Sequence, residues 1–395
     1  MKAGRSTTML CLAVVSVSAA APLQQTLWVF PSATAPNPVT DATARQLLVT
    51  NSAATGVAEL YVSVYSSAPN AAGRYMYDEA AIADLITMAH SSGMEVLAAY
   101  GAPDWPSFAC NSGSFPSQRM AEIVAYNSAH PTANFDGVTL DVEPNAQNAA
   151  DFQALLSHYA CMRGALPNDV QLAVAIRFYW DSVIEYPAGS GVSKPVYAHV
   201  IDMNMHNVIV MGYRDFSGPD DCSSDGIVCL DQDEIAYAAS VGKAHLVLAG
   251  LETSDPASTG ITSKETFFEE GASAMNAQAK QVIEHFGNAN GLGGFAVHNY
   301  ANSYLAGTTP WPARNPFFPT NVIALASVTR VSPSAIRISG IGVPNHSHTV
   351  ATANVPNTSS FSFFGNVTAN PAGTLQVDDP SVSMTKSRFY RLTFP

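Results

Sequence analysis

The chain has 395 residues, of which 12% are charged, with 31 Asp and Glu against 18 Lys and Arg for a formal charge of −13 at pH 7. An acid excess of this size repels polyanions and argues against nucleic acid or an anionic membrane as a partner. Beyond the first 20 residues no apolar run is long enough to span a bilayer, and the remainder suffices for one large domain and a small one.

Lys2 and Arg5 precede an apolar run from Met9 to Ala21, and Ser18-Ala19-Ala20 fits a small-residue cleavage site. Residues 1–20 read as a signal peptide, so the chain is expected to be secreted, periplasmic or at the cell surface. Cys11 lies inside that segment, which leaves Cys110, Cys161, Cys222 and Cys229. An even count in an exported protein suggests disulfides. Cys222 and Cys229 close a short loop and form the preferred pair; Cys110 with Cys161 is the second. No CxxC pair or clustered His supports zinc instead.

From residue 21 to 307 eight apolar strands alternate with helical segments. The strands are Leu27–Phe30, Ala58–Tyr65, Glu95–Tyr100, Gly137–Glu143, Gln171–Phe178, Asn207–Tyr213, His245–Glu252 and Gly293–Asn299. Asp78 can N-cap a helix through Ile82, Leu85, Ile86 and Ala89 that stops at Gly93. Thr262 and Glu265 form a capping box ahead of a long helix ending near Gly287. Eight such units predict an α/β fold, a (β/α)8 TIM barrel with its sheet covered on both faces. A doubly wound sheet would carry a Gly-rich loop after its first strand, and Phe30-Pro31-Ser32 is not one. Residues 308–320 are a proline-rich linker. Residues 321–395 are short alternating runs with turns between them and predict a small all-β sandwich.

The most telling stretch is Asp136-Gly137-Val138-Thr139-Leu140-Asp141-Val142-Glu143-Pro144. Side chains alternate on a strand, so Thr139, Asp141 and Glu143 share one face. Two acids on one face of an apolar strand are costly to bury unless paired or used. In a barrel of this kind the chemistry sits at the C-terminal strand ends. Those ends supply Tyr65, Tyr100 with Trp105 after it, Asp141 and Glu143, Arg177, Tyr213 with Arg214, Glu252, and His298 with Tyr300. Acids, aromatics and arginines converging on one mouth suit a sugar: rings stack on pyranoses and carboxylates handle hydroxyls and protons. The bland reading makes Asp141 and Glu143 an ion-pair set with Arg177, and Glu252 a salt bridge to Arg214 or Arg177 or a cap on the next loop. Asp220, Asp221, Asp225, Asp231 and Asp233 read as a solvated loop around the Cys222–Cys229 bridge.

Asp136 to Glu143 resembles the DGxDxDxE signature of family 18 chitinases and related endoglycosidases, and Met211-x-Tyr213 resembles that family's strand-six Met-x-Tyr. The resemblance implies Glu143 as general acid, with Asp141 as its orienting and charge-tuning partner and Tyr213 as donor to an N-acetyl group; burial and Asp141 are expected to raise the Glu143 pKa. Thr139 stands where the family has its middle aspartate, and His298 near where it has a strand-eight tryptophan. Glutamates closing strands four and seven also resemble the clan A retaining glycosidases, which implies Glu143 as acid/base and Glu252 as nucleophile, although Val142 stands where that clan has Asn. The ending Ser387-Arg388-Phe389-Tyr390-Arg391-Leu392 resembles C-terminal Ig-like modules of secreted bacterial proteins.

The expectation is a secreted, monomeric glycoside hydrolase acting on a poly- or oligosaccharide, without cofactor or metal. Its catalytic residues would be Glu143, Glu252 and Asp141, and its substrate contacts Tyr213, Arg214, Arg177, His298, Tyr65, Tyr100, Trp105 and Tyr300. The alternatives are a non-catalytic carbohydrate-binding barrel and a metal-dependent hydrolase using Asp141, Glu143 and His298.

Overall fold

The computed structural model describes residues 23–31, 36–219, 225–286 and 291–300, and in the C-terminal part 324–332, 335–341, 347–353, 362–368, 374–380 and 389–393. The proposed signal peptide, the proline-rich linker and Cys222 lie outside these residues.

Eight parallel strands close into a barrel: β1 (Gln24–Val29), β2 (Glu59–Ser63), β3 (Glu95–Tyr100), β4 (Gly137–Leu140), β5 (Gln171–Arg177), β6 (Val208–Met211), β7 (Val247–Glu252) and β8 (Leu292–His298). Neighbours in the barrel are neighbours in sequence, and β1 closes the ring by pairing with both β2 and β8. Helices α1 (Ala42–Thr55), α2 (Glu79–Ser91), α3 (Phe115–Ala129), α4 (Ala149–Ala165), α5 (Val196–Asp202), α6 (Ile227–Ser240) and α7 (Gly271–Phe286) follow the first seven strands in turn. The sequence expectation of a (β/α)8 barrel holds.

Helix starts follow local chemistry. The side chain of Asp41 accepts the Ala44 N–H at the start of α1, that of Asp78 accepts the Ala81 N–H at the start of α2, and Asn148 with Asp151 forms a capping box on α4. One expectation shifts. The Thr262–Glu265 capping box forms, but it closes a single turn, Ser263–Glu265, and α7 begins only at Gly271.

Strand parity divides the core in two. Trp28, Tyr61, Leu97, Ala99, Ala173, Ala175, Ile209, Leu248 and Ala296 pack inside the barrel. The alternate residues, such as Leu27, Val96, Val138, Leu172 and Leu251, pack outward in the layer beneath the helices. Both faces are covered, so β7 is buried at every position.

Of the two expected disulfides, the second holds and the preferred one is corrected. Cys110, in the loop after β3, is bonded to Cys161 on α4, with Cα atoms 5.8 Å apart. Cys229 carries a free thiol, and its Sγ lies 3.6 Å from the Pro219 carbonyl. Cys229 stands on α6, which starts at residue 227, so the favoured partner of Cys222 is built into a helix rather than into a loop.

Residues 22–320 form one compact unit, and Asn321–Pro395 belongs to a second. The second contains two three-stranded antiparallel sheets. One is β9 (Ala324–Ser332), β10 (Ala335–Ile341) and β13 (Thr374–Asp379) with β10 central; the other is β12 (Ser362–Thr368), β11 (Ser347–Ala353) and β14 (Phe389–Thr393) with β11 central. The described elements of this unit are all strands, which matches the sequence pattern.

Candidate active site

The mouth at the C-terminal strand ends gathers the chemistry. β4 stops at Leu140, yet the Asp141 N–H still donates to the Tyr100 carbonyl at 2.8 Å, extending the ladder by one residue. Gly101 makes this possible: a Cβ there would lie 1.8 Å from the Asp141 carbonyl oxygen. Parity then turns Asp141 inward, like Thr139 below it. Oδ1 of Asp141 is buried with no hydrogen-bond partner among the described residues. Burial, then the charge of Glu143, pushes its pKa up to about 6, against the opposing pull of His298 and Arg177. A hydrogen bond between the two carboxyls adds to the rise.

Glu143 is ion-paired through Oε2 with Nε of Arg177, the last residue of β5. Arg177 also donates from Nη1 to the Tyr179 hydroxyl and lies 5.7 Å from that ring's centroid. The bland reading of Arg177 as partner of the acids thus describes one of its contacts. Tyr213, two residues past the end of β6, reaches the same mouth. Gly250 on β7 leaves space for its ring, since a Cβ there would be 2.8 Å from Cε1. Burial first, and then the charges of Glu252, Asp141 and Glu143, raise the Tyr213 pKa well above its ordinary value. Tyr213 stays a protonated hydroxyl and a donor.

Glu252 and His298 are partners in register on β7 and β8, so both point into the barrel side by side. Glu252 Oε2 lies 2.7 Å from His298 Nδ1, and Oε1 accepts the backbone N–H groups of Thr253 and Ser254, each at 2.7 Å. Burial would raise the Glu252 pKa, but the bonds from His298 and Ser254 prevail and lower it. Both oxygens of this buried carboxylate are engaged. The imidazole of His298, 28% exposed, sits with its centroid 5.5 Å from Phe30 and 6.2 Å from Tyr213. Phe30 in turn stacks on Trp28 at 5.5 Å. The His298–Asn299 peptide is cis.

Four residues named from sequence, Tyr100, Trp105, Tyr300 and Arg214, are placed elsewhere. Tyr100 and Trp105 are turned outward into the layer beneath the helices, stacked on each other at 6.2 Å, because Tyr100 has the opposite parity to Leu97 and Ala99. Tyr300 is buried in that same outer layer. Arg214, also of outward parity, pairs with Asp225 at 2.6 Å and lies over the Phe178 ring at 5.6 Å. Tyr65 is 38% exposed and packs edge-on against Phe115 at 5.9 Å. The structure brings together Asp141, Glu143, Arg177, Tyr213, Glu252 and His298. Sequence reading missed Phe30, Trp28 and Tyr179 as lining; for Trp28 on β1 and Phe30 directly after it the signal was their inward parity.

The acids assigned to a solvated loop also separate. Asp225 binds Arg214 and Lys264, whereas Asp231 is wholly buried on α6. Asp220 and Asp221 lie outside the described residues. Among the described residues, a set of side chains with cation-binding spacing, Glu59, Glu95 and His206, lies at the opposite, N-terminal end of the barrel. There Glu59 accepts from Tyr61 at 3.0 Å and from Asn207 at 3.1 Å, and contacts His206 at 2.8 Å.

Fold and site together define a (β/α)8 barrel with a carboxyl pair, a tyrosine and a carboxylate-bound histidine at its mouth. No family model matches the chain, and no curated protein does. Solved structures of similar shape include a chitinase from Bacteroides thetaiotaomicron, 12% identical with a TM-score of 0.47 over 70% of this chain and 89% of that one. The spore cortex-lytic enzyme SleL of Bacillus cereus is 10% identical, with a TM-score of 0.46 over 72% of each chain. An endo-β-N-acetylglucosaminidase from Cordyceps militaris is 10% identical, with a TM-score of 0.44 over 74% of this chain and 86% of that one.

Proposed function

We propose that this chain is an exported glycoside hydrolase acting on a glycan that contains N-acetylhexosamine, with Glu143 as general acid/base. The observation that carries the reading is the inward-facing Asp141–Glu143 pair, in which Asp141 holds a proton up to about pH 6 beside Glu143. A carboxyl kept protonated near neutrality next to a second one is the arrangement that proton transfer to a leaving oxygen requires.

Glu252 does not suit the role of nucleophile, because His298 and two backbone N–H groups occupy its oxygens. The nucleophile then comes from the substrate. Its acetamido oxygen, steadied by the Tyr213 hydroxyl, attacks the anomeric carbon while the glycosidic C–O bond breaks and the leaving oxygen takes the proton of Glu143. Water next adds to the anomeric carbon, reopens the cyclic intermediate and returns a proton to Glu143. Arg177 must release Glu143 before the first step, and Asp141 is the adjacent source of the proton Glu143 then carries.

A second reading, a sugar-binding barrel without turnover, is favoured by that same Arg177–Glu143 ion pair, which holds Glu143 as an anion. The test is hydrolysis of a glycan panel including chitooligosaccharides and N-linked glycans by the purified protein and by Glu143→Gln. The enzyme reading expects a kcat loss of roughly 10²–10⁴-fold in the variant. Equal cleavage by both proteins removes Glu143 from the chemistry, and binding without any turnover in the wild type selects the second reading.

A further inference from the structure

The end of β8 carries a histidine where the barrel mouth otherwise presents carboxyls and aromatic rings, and its setting is built rather than incidental. Glu252 and His298 face each other across a parallel pair in register. The Glu252 carboxylate, 5% exposed, is fixed from behind by the Thr253 and Ser254 N–H groups. The backbone around His298 is tied to the same turn: the Thr253 N–H donates to the His298 carbonyl at 2.6 Å, and the Thr253 hydroxyl donates to it at 2.9 Å. Asn299 Nδ2 donates to the Ser254 hydroxyl at 3.3 Å. Neither the carboxylate nor the ring is left free to turn.

A carboxylate has no proton to donate, so the atom of His298 that faces it must carry one. Nδ1 is therefore the N–H, and in the neutral ring Nε2 is the acceptor. The two ring nitrogens point away from one another, so with Nδ1 held against the barrel wall, Nε2 is directed away from Glu252. Among the described residues no hydrogen bond reaches it. The ring that carries it packs 5.5 Å from Phe30 and 6.2 Å from Tyr213, centroid to centroid, and its charge is felt at Asp141.

We propose that Glu252 is a positioning residue that sets the tautomer of His298, and that His298 Nε2 accepts a hydrogen bond from a hydroxyl of the bound sugar. This rests on the glycosidase reading for its ligand but not for its geometry. It reassigns Glu252 from attacking group to anchor, and it gives β8 a part in choosing the substrate: the sugar must offer a hydroxyl there. A site built around an acceptor discriminates against an analogue that lacks the donor, because the acceptor is then left unpaired.

Glu252→Gln tests the tautomer. The amide oxygen can still accept the Thr253 and Ser254 N–H groups, which turns the NH₂ toward Nδ1 and forces the ring proton onto Nε2. Nitrogen NMR of the full-length protein labelled at histidine should show the Nδ1–H form of His298 in the wild type and the Nε2–H form in Glu252→Gln. Chitotetraose, added to the Glu143→Gln protein so that it is not consumed, should move the Nε2 resonance. Its affinity by calorimetry should fall about tenfold in the Glu143→Gln protein carrying His298→Phe as well, the worth of one hydrogen bond removed. That variant has a ring without nitrogens, so it reads the sugar contact even where Glu252→Gln fails to fold. An unchanged tautomer in Glu252→Gln overturns the anchoring role. An Nε2 signal that stays put while chitotetraose binds, or full affinity in His298→Phe, overturns the sugar contact. If chitotetraose is bound and cleaved by no form of the protein, the sugar contact falls with the glycosidase reading for this ligand, while the tautomer measurement still decides the anchor.

Discussion

Asp141 and Asp231 show how one residue type serves opposite ends when buried. Asp141 has Glu143 beside it and a pKa of about 6, so it loses its proton as the pH rises through that value. If that proton feeds Glu143, kcat/KM falls on the alkaline side of about pH 6, and Asp141→Asn removes this limb along with much of the activity; a pH–rate profile of both proteins checks it. Asp231 and Glu234 are buried on α6 with all four carboxylate oxygens unpartnered among the described residues. Burial raises both pKa values well above normal, opposed at Asp231 by Arg214 and reinforced at Glu234 by Asp231. The folded state thus holds protons that the unfolded state releases from about pH 4 upward. Stability is full below that pH and declines as the pH rises toward the folded pKa values. Melting temperature should fall between about pH 5 and pH 8 in the wild type, and fall less in Asp231→Asn with Glu234→Gln.

The strands set which of these residues meet. Gly250 on β7 illustrates this, because its missing side chain is the space in which the Tyr213 ring sits. Gly250→Ala should displace Tyr213, costing about 1–3 kcal/mol of stability by overpacking and lowering turnover more than global unfolding explains; denaturant melts and kcat measured together separate the two. Much of this is legible in the sequence. Strand alternation, carried up to three residues past the ends of β4 and β6, puts Asp141, Glu143, Arg177, Tyr213, Glu252 and His298 on one surface. The same parity turns Tyr100 and Arg214 outward, and both look like ligands only because a polar residue at a strand end draws the eye regardless of phase. The engagement of Glu252 is half legible: a cap on the next loop, here the Thr253 and Ser254 N–H groups, can be read from the strand end, whereas its side-chain partner stands 46 residues on and leaves no sequence pattern. Asp231 and Glu234 do leave one. They fall on the helical stripe of Ile227, Ile235 and Ala238, where a charged residue contradicts the apolar period and points to burial rather than to a loop.

At the level of the molecule, the barrel should fold without the C-terminal sheets. A fragment spanning residues 22–320, which matches one compact unit, is expected to keep native circular dichroism and the parent's kcat; loss of both would assign those sheets a part in the barrel's integrity. The Cys110–Cys161 bridge spans 51 residues, and closing a loop of that length restrains the unfolded chain by about 4 kcal/mol in the chain-entropy model. Reduction should therefore lower the melting temperature clearly, read by thermal melts with and without reductant. The mouth itself carries a last consequence. Three carboxyl groups, Asp141, Glu143 and Glu252, surround the place where a sugar would rest, on a chain whose formal charge is −13. A glycan bearing sulfate or uronate groups meets a like-signed field on approach, while an uncharged glycan does not. Ionic strength then becomes a selective lever: added salt, by shortening the reach of that field, should speed encounter with the anionic polymers and leave the neutral ones untouched.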